Sequence, residues 1–265
     1  MFVSSTVFVV ETPKSWQAGP LNIRVRSGPG SDPAKAHRER LTTDRIVDEA
    51  LEQMREVGYD GVTMRSIARA LDTGPASLYA HVANREELDQ LVVDRIASEV
   101  PIPEPDPDRW DEQIKEMMRA ALTTYRAYPG AARATMAIIP TGYGALRNAE
   151  GLMALCRAGN VPDQAAAWFG DLISLYIGAV AVEEAIWSER AKVHADADPE
   201  RVVAAVTSYF AELPADEFPM LSSLASVMTA GVGDDRFEFG LAVLVAGLKS
   251  YSETARVAES EAGGR

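Results

Sequence analysis

Cysteine is almost missing from this chain. A lone Cys156 among 265 residues excludes an intrachain disulfide framework and any metal site built from several thiolates, and it suits a reducing compartment. Positive charge is also short. The 26 Lys and Arg against 39 Asp and Glu leave a net charge of -13, so no chain-wide electrostatic grip on nucleic acid exists and any such contact must come from a local surface. No stretch reaches the 18 or so uninterrupted apolar residues of a membrane span, because Gly, Glu, Arg or Asp breaks each candidate. Catalytic signatures are lacking too. There is no HExxH, CxxC, GxSxG or P-loop, and Gly142-Tyr143-Gly144 lacks the third glycine and preceding strand of a dinucleotide loop, so no enzyme and no cofactor are expected. What remains is 47% hydrophobic, 25% charged and 7% aromatic with a mean hydropathy of -0.09, the balance of a folded globular chain with room for two modest domains.

The opening MFVSSTVFVV has no basic residue ahead of it and its apolar run stops at Glu11, unlike a secretory signal, so a cytoplasmic location is expected. From Pro13 to Arg40 four prolines and three glycines favour an extended arm. Residues 1–40 therefore read as a mobile leader, mildly basic through Lys14, Arg24, Arg26, Lys35, Arg38 and Arg40. A second boundary is sharper. Pro101, Pro103, Pro105 and Pro107, interleaved with acids, end one unit at about residue 100 and open another that runs from 101 to 257, with 258–265 as a tail.

Within 41–100 the apolar residues Ile46, Val47, Ala50, Leu51, Met54 and Val57 form a helical stripe opened by a threonine and closed by Gly58. Thr63 caps a short helix over MRSIARAL, Asp72-Thr73-Gly74 breaks it, and a third helix runs from Pro75 to His81. Asn84 with Glu87 starts a fourth, carrying Leu88, Leu91, Val92 and Ile96 on one face. Beyond the prolines every segment has helical period, with helices expected at 108–127, 131–138, 143–158, 162–191, 199–212, 217–230 and 234–257. The fold class is all-α.

Two short helices joined by a three-residue turn and braced by longer helices make a helix-turn-helix, whose second helix is shaped for a DNA major groove. At this level the stretch from Leu41 to Ile96 resembles the DNA-binding domain of the tetracycline-repressor (TetR) family, most specifically in the Gly58-to-Thr63 link, Ser77-Leu78-Tyr79, His81-Val82 and Asn84-Arg85. The ending FEFGLAVLVAGL is similar to the last helix of the tetracycline-repressor-like C-terminal domain. The resemblance implies DNA contacts from Thr73, Pro75, Ala76, Ser77, Tyr79 and His81 around the recognition helix, and from Thr63 and Arg65 at the start of the second helix. It further implies a phosphate clamp at Arg85, where the family usually has Lys, and a phosphate at the helix start near Thr43. Leu78, Ile67 and Ala68 are core. Ala80 departs from the large aromatic of the tetracycline repressor itself, so base preference must differ.

The resemblance also implies a homodimer on a double-stranded, near-palindromic operator. Helices near 162–191 and 234–257 would pair with their mates, using stripes such as Leu241, Leu244 and Leu248, unless those stripes only fill the monomer core. On the long helix Trp168, Leu172, Leu175, Ala179, Val182 and Ile186 share one face. A small-molecule effector would be met by flexible and aromatic residues, for which the candidates are Trp110, Met117, Tyr125, Met136, Trp168, Tyr176, Glu183 and Trp187. Glu183 either orients a cationic or hydroxylated ligand in an apolar setting or pairs with an arginine at the interface. The three histidines are His37, His81 and His194; none lies in 108–191, so no His-containing magnesium site is expected. The reading is a ligand-responsive regulator, with repression as the expected sign. The alternative is a ligand-sequestering or protein-binding helical dimer that no longer reads DNA.

Overall fold

The computed structural model describes residues 41–135, 141–193, 198–231 and 233–263. The leader 1–40, Met136 and His194 lie outside the described residues. Every regular element described is helical: α1 (Thr43–Val57), α2 (Met64–Ala70), α3 (Pro75–Tyr79), α4 (Arg85–Ser98), α5 (Trp110–Arg126), α6 (Tyr143–Ala158), α7 (Asp163–Val193), α8 (Pro199–Ala211), α9 (Pro219–Ser223), α10 (Ala225–Met228) and α11 (Asp235–Gly263), with short 3-10 turns at Tyr59–Gly61 and Ala131–Thr135.

The ends of these helices follow local chemistry. The α1 cap is Thr42, one residue earlier than the helix start at Thr43, and its hydroxyl accepts the Arg45 N–H at 3.2 Å. Gly58 closes α1 at φ 74, a left-handed value that a side chain would strain. Thr63 and Ser66 form a reciprocal capping box on α2. In the tight turn that follows, Asp72 takes the left-handed conformation (φ 48), whereas Gly74 does not need one (φ -85). The expected helices at 131–138 and 217–230 are corrected. Over its described residues, Ala131–Thr135, the first is a 3-10 turn, and the second breaks into α9 and α10 at Leu224. α11 continues in helical form past 257 to Gly263.

Two cores organise the chain. The smaller one joins Ile46, Met54, Ile67, Leu78, Leu88 and Ile96 of α1–α4, and it also takes in Tyr128 and Ala131 from beyond the proline linker. The larger one packs α5, α6, α7 and α11 through Trp110, Ile114, Leu155, Phe169, Ile173, Ile177, Leu241 and Leu248. α4 and α6 are held at close range. A Cβ on Gly144 of α6 would collide with Ser98 and the Asp94 backbone, and the Asp94 carboxylate accepts the Ala145 N–H at 3.1 Å.

α7 is the longest helix described, at 31 residues. By length and mean composition it is apolar enough to cross a bilayer, although Asp171 interrupts its apolar run as expected, and a core helix has the same composition. One side of it, Phe169, Ile173 and Ile177, is taken up by the core.

Candidate nucleic-acid interface and effector domain

The recognition helix is short because it needs only one anchor. Leu78 is fully buried and fastens α3 to the small core. The residues around it then have to face outward: Pro75, Ala76, Ser77, Ala80 and His81 are exposed, Tyr79 is 51% exposed and Thr73 is half-buried. A tyrosine so placed without a packing role presents its ring and hydroxyl to whatever lies across α3. α3 ends at Tyr79, so His81 stands in the turn just beyond it; its carbonyl accepts from the Thr43 hydroxyl at 3.4 Å, which ties the start of α1 to the end of α3. Thr63 and Arg65 are exposed at the start of α2. Thr43 is the first helical residue and not the cap, which is Thr42.

Arg85 does not sit as a free clamp. Its Nε donates to Asp89 at 2.7 Å, a terminal nitrogen donates to the Val62 carbonyl, and its guanidinium lies 4.6 Å from the Tyr59 ring centroid. The junction behind the interface is similarly bonded. The buried Tyr128 receives a hydrogen bond from Arg55 and donates to Glu99 at 2.6 Å, while the Tyr59 N–H donates to the Pro129 carbonyl at 2.9 Å. Burial, followed by the bond to Glu99, raises the Tyr128 hydroxyl above its ordinary pKa. Sequence reasoning missed both clusters.

The effector candidates fall into two sets. Trp110 and Met117 are buried in the larger core, Tyr125 touches both cores, and Tyr176 stacks on Phe237 with its hydroxyl donating to the Phe237 carbonyl at 3.0 Å. Burial pushes the Tyr125 hydroxyl pKa up. Trp168 (70% exposed), Trp187 (57%) and Glu183 stand on the exposed surface of α7. Glu183 pairs with Arg236 of α11 in the same chain at 3.5 Å. Burial pushes the Cys156 thiol up to about 12, which leaves it protonated and a poor nucleophile.

Two family models cover most of the chain: bacterial regulatory proteins of the tetR family match residues 46–90, and the tetracyclin repressor-like C-terminal domain matches 102–251. The chain belongs to the TetR family of transcriptional regulators. Among TetR-family relatives, it is 29% identical over 222 residues to the HTH-type transcriptional repressor DrrR1 of Streptomyces coeruleorubidus, covering 83% of this chain and 82% of that protein. The crystal structure of the TetR family protein ActR from Streptomyces coelicolor in complex with actinorhodin superimposes with a TM-score of 0.72 at 40% identity, over 80% of this chain and 99% of ActR. The class D tetracycline repressor of Escherichia coli is 41% identical over 59 residues, 22% of this chain and 27% of that protein. TetR-family members are non-enzymatic DNA-binding proteins.

For a TetR-family chain, the uncovered surface of the second domain is the notable feature. Besides Trp168, the α7 residues Leu172 and Leu175 are 49% and 61% exposed, and α11 leaves Phe239 and Val243 bare. The α11 stripe named for pairing divides accordingly. Leu241 and Leu248 are buried in the chain's own core, Leu244 is half-buried, and the outward face belongs to Phe239 and Val243. Gly240 meets Tyr176 of α7 at close range, whereas Gly247 faces open space.

Proposed function

We propose that this chain is a homodimeric repressor that reads a near-palindromic operator through α3 and releases it when a small molecule occupies the second domain. The observation that carries the reading is the α3 face, where a single buried leucine holds Ser77, Tyr79 and His81 outward. Two such helices held about 34 Å apart meet successive major grooves on one side of DNA. The uncovered apolar residues of α7 and α11 supply a self-complementary face for the second copy, which also explains why α7 is apolar on more than its core side. Such a dimer acts in the cytoplasm, and the leader arginines add phosphate contacts. Deleting residues 1–34 lowers the slope of log K against log salt in that case.

The effector is sought first among the compounds seen with ActR, actinorhodin and (S)-DNPA. Trp110, Met117, Tyr125 and Tyr176 are the candidate contacts in this reading, and the larger core has to rearrange to admit a ligand to them. The mechanism is a population shift: a ligand that prefers the non-binding spacing of the two α3 helices a hundredfold supplies about 2.7 kcal/mol. The alternative of a dimer that has lost operator binding is not favoured, because α3 keeps its exposed polar residues.

The test is selection of duplexes from a random pool by the purified protein, then anisotropy titration at two salt concentrations with wild type and Tyr79→Ala. Saturable, competitor-resistant binding that the substitution removes supports the reading. Failure to enrich any sequence overturns it.

A further inference from the structure

Arg85, Asp89 and Tyr59 form a closed cycle. Arg85 is the first residue of α4; its Nε donates to one Asp89 carboxylate oxygen at 2.7 Å, and the Tyr59 hydroxyl donates to the other at 2.8 Å. The Tyr59 ring completes the ring of contacts by lying under the guanidinium. The terminal nitrogens of Arg85 donate to the carbonyls of Val62 and, at 3.5 Å, Tyr59. Asp89 is 9% exposed. Moving Arg85 out to a phosphate would leave the nearly buried Asp89 carboxylate without its cationic partner and with only the Tyr59 hydroxyl bond, which is costly.

What the cycle holds matters as much as what it is made of. Val62 directly precedes Thr63, whose hydroxyl accepts the Ser66 N–H at 3.0 Å while the Ser66 hydroxyl accepts the Thr63 N–H at 2.9 Å to start α2. α2 packs against α3. The guanidinium therefore grips the residue from which the helix-turn-helix departs, and it grips it from α4. Only a planar fork with several fixed donors reaches the carboxylate and two carbonyls together; a lysine ammonium is a compact charge on a flexible stem.

We propose that Arg85, Asp89 and Tyr59 are positioning residues for operator recognition, fixing the departure of α2 and α3, and that Arg85 acts through Val62 and Thr63 and not through a DNA phosphate. The inference rests on the operator-reading function above. It explains why an acidic residue is tolerated so close to a DNA-binding face: Asp89 is the internal partner of Arg85.

Full-length Arg85→Lys, Arg85→Gln, Asp89→Asn and Tyr59→Phe are titrated by anisotropy with the duplex that wild type recovers from the random pool, at four salt concentrations, with circular dichroism to monitor folding. The positioning role predicts that Arg85→Lys loses affinity at least fivefold although it keeps the charge. Asp89→Asn loses a similar factor although it removes a negative charge near DNA, and the slope of log K against log salt stays within half a unit of wild type in every variant. A phosphate clamp predicts the reverse. Arg85→Lys within twofold of wild type, with Arg85→Gln lowering the slope by about two for the two copies in a dimer, overturns the inference, as does Asp89→Asn binding as tightly as wild type or tighter. If Asp89→Asn fails to fold, Tyr59→Phe decides: a twofold or greater loss at unchanged slope supports the inference and no change overturns it. A wild-type protein that recovers no duplex fails the regulator reading itself, and the inference with it.

Discussion

The two domains handle their apolar residues in opposite ways. In α1–α4 the large side chains that face inward are covered almost completely, and the large apolar side chains left exposed there are Tyr79 and Val57. In the second domain α7 and α11 bury one face and leave another bare, with Trp168, Leu175 and Phe239 each exposed by 60% or more. The α8–α10 segment does the same through Val202, Val206, Tyr209, Met220 and Val227. One domain has a surface finished for solvent and nucleic acid. The other leaves apolar side chains uncovered in the single chain, and in the proposed dimer a second copy covers them.

Truncating Tyr128 breaks the contrast most severely, because the residue is fully buried in the small core although it comes from the larger domain. Tyr128→Ala is expected to lower stability by about 3–5 kcal/mol in urea denaturation, with α1–α4 losing structure first by hydrogen exchange. Paired charges on the bare face come next. Leu172→Asp with Leu175→Asp leaves the monomer folded but halves the mass seen by light scattering and weakens operator binding about a hundredfold, near 2.7 kcal/mol, since each half-site is then bound alone. An unchanged mass would mean that the face is not the dimer surface. At the small domain's own boundary, Thr63→Ala removes the α2 cap and costs about 1 kcal/mol, read as a shift of the denaturation midpoint.

A gentler contrast comes from acid. Hydrogen bonds from Arg119 hold the Glu238 carboxyl below its usual range, and those from Arg126 do the same for Asp234. Groups with depressed folded-state values contribute stability above the unfolded carboxylate range, about 4, and lose it as pH falls further. The urea midpoint therefore drops below pH 4, and Glu238→Gln reduces the dependence. Both pairs are largely exposed, so the effect is modest. Smallest of all, Gly74→Ala is expected to change stability by no more than about 0.5 kcal/mol, because a Cβ there meets nothing.

The first domain was legible because its signals are local. Thr63, Asn84 and the stripe from Ile46 to Met54 declare helix starts and inward faces within a few residues of each other. The Thr42 cap was blurred only by a second threonine beside it. α7 was harder for a definite reason. Its residues at 168, 172, 175 and 179 and those at 169, 173 and 177 both read as apolar stripes, and periodicity does not say which is covered by the same chain. Glu183 looked apolar-lined for the same reason, since its partner Arg236 lies on another helix. Arg85 kept its charge in every reading of the motif, yet its partners Tyr59 and Val62 are brought in by the chain's turn. Only Asp89, four residues along the same helix, was a visible clue.

Tyr128 also bears on how such regulators can be recombined. The proline run at 101–107 looks like a natural splice point, but a chain cut there would leave an empty socket among Arg55, Glu99 and the small core. A chimera that joins this DNA reader to a foreign sensor must carry residues 128–131 with it, or bring a sensor whose own residue fills that socket.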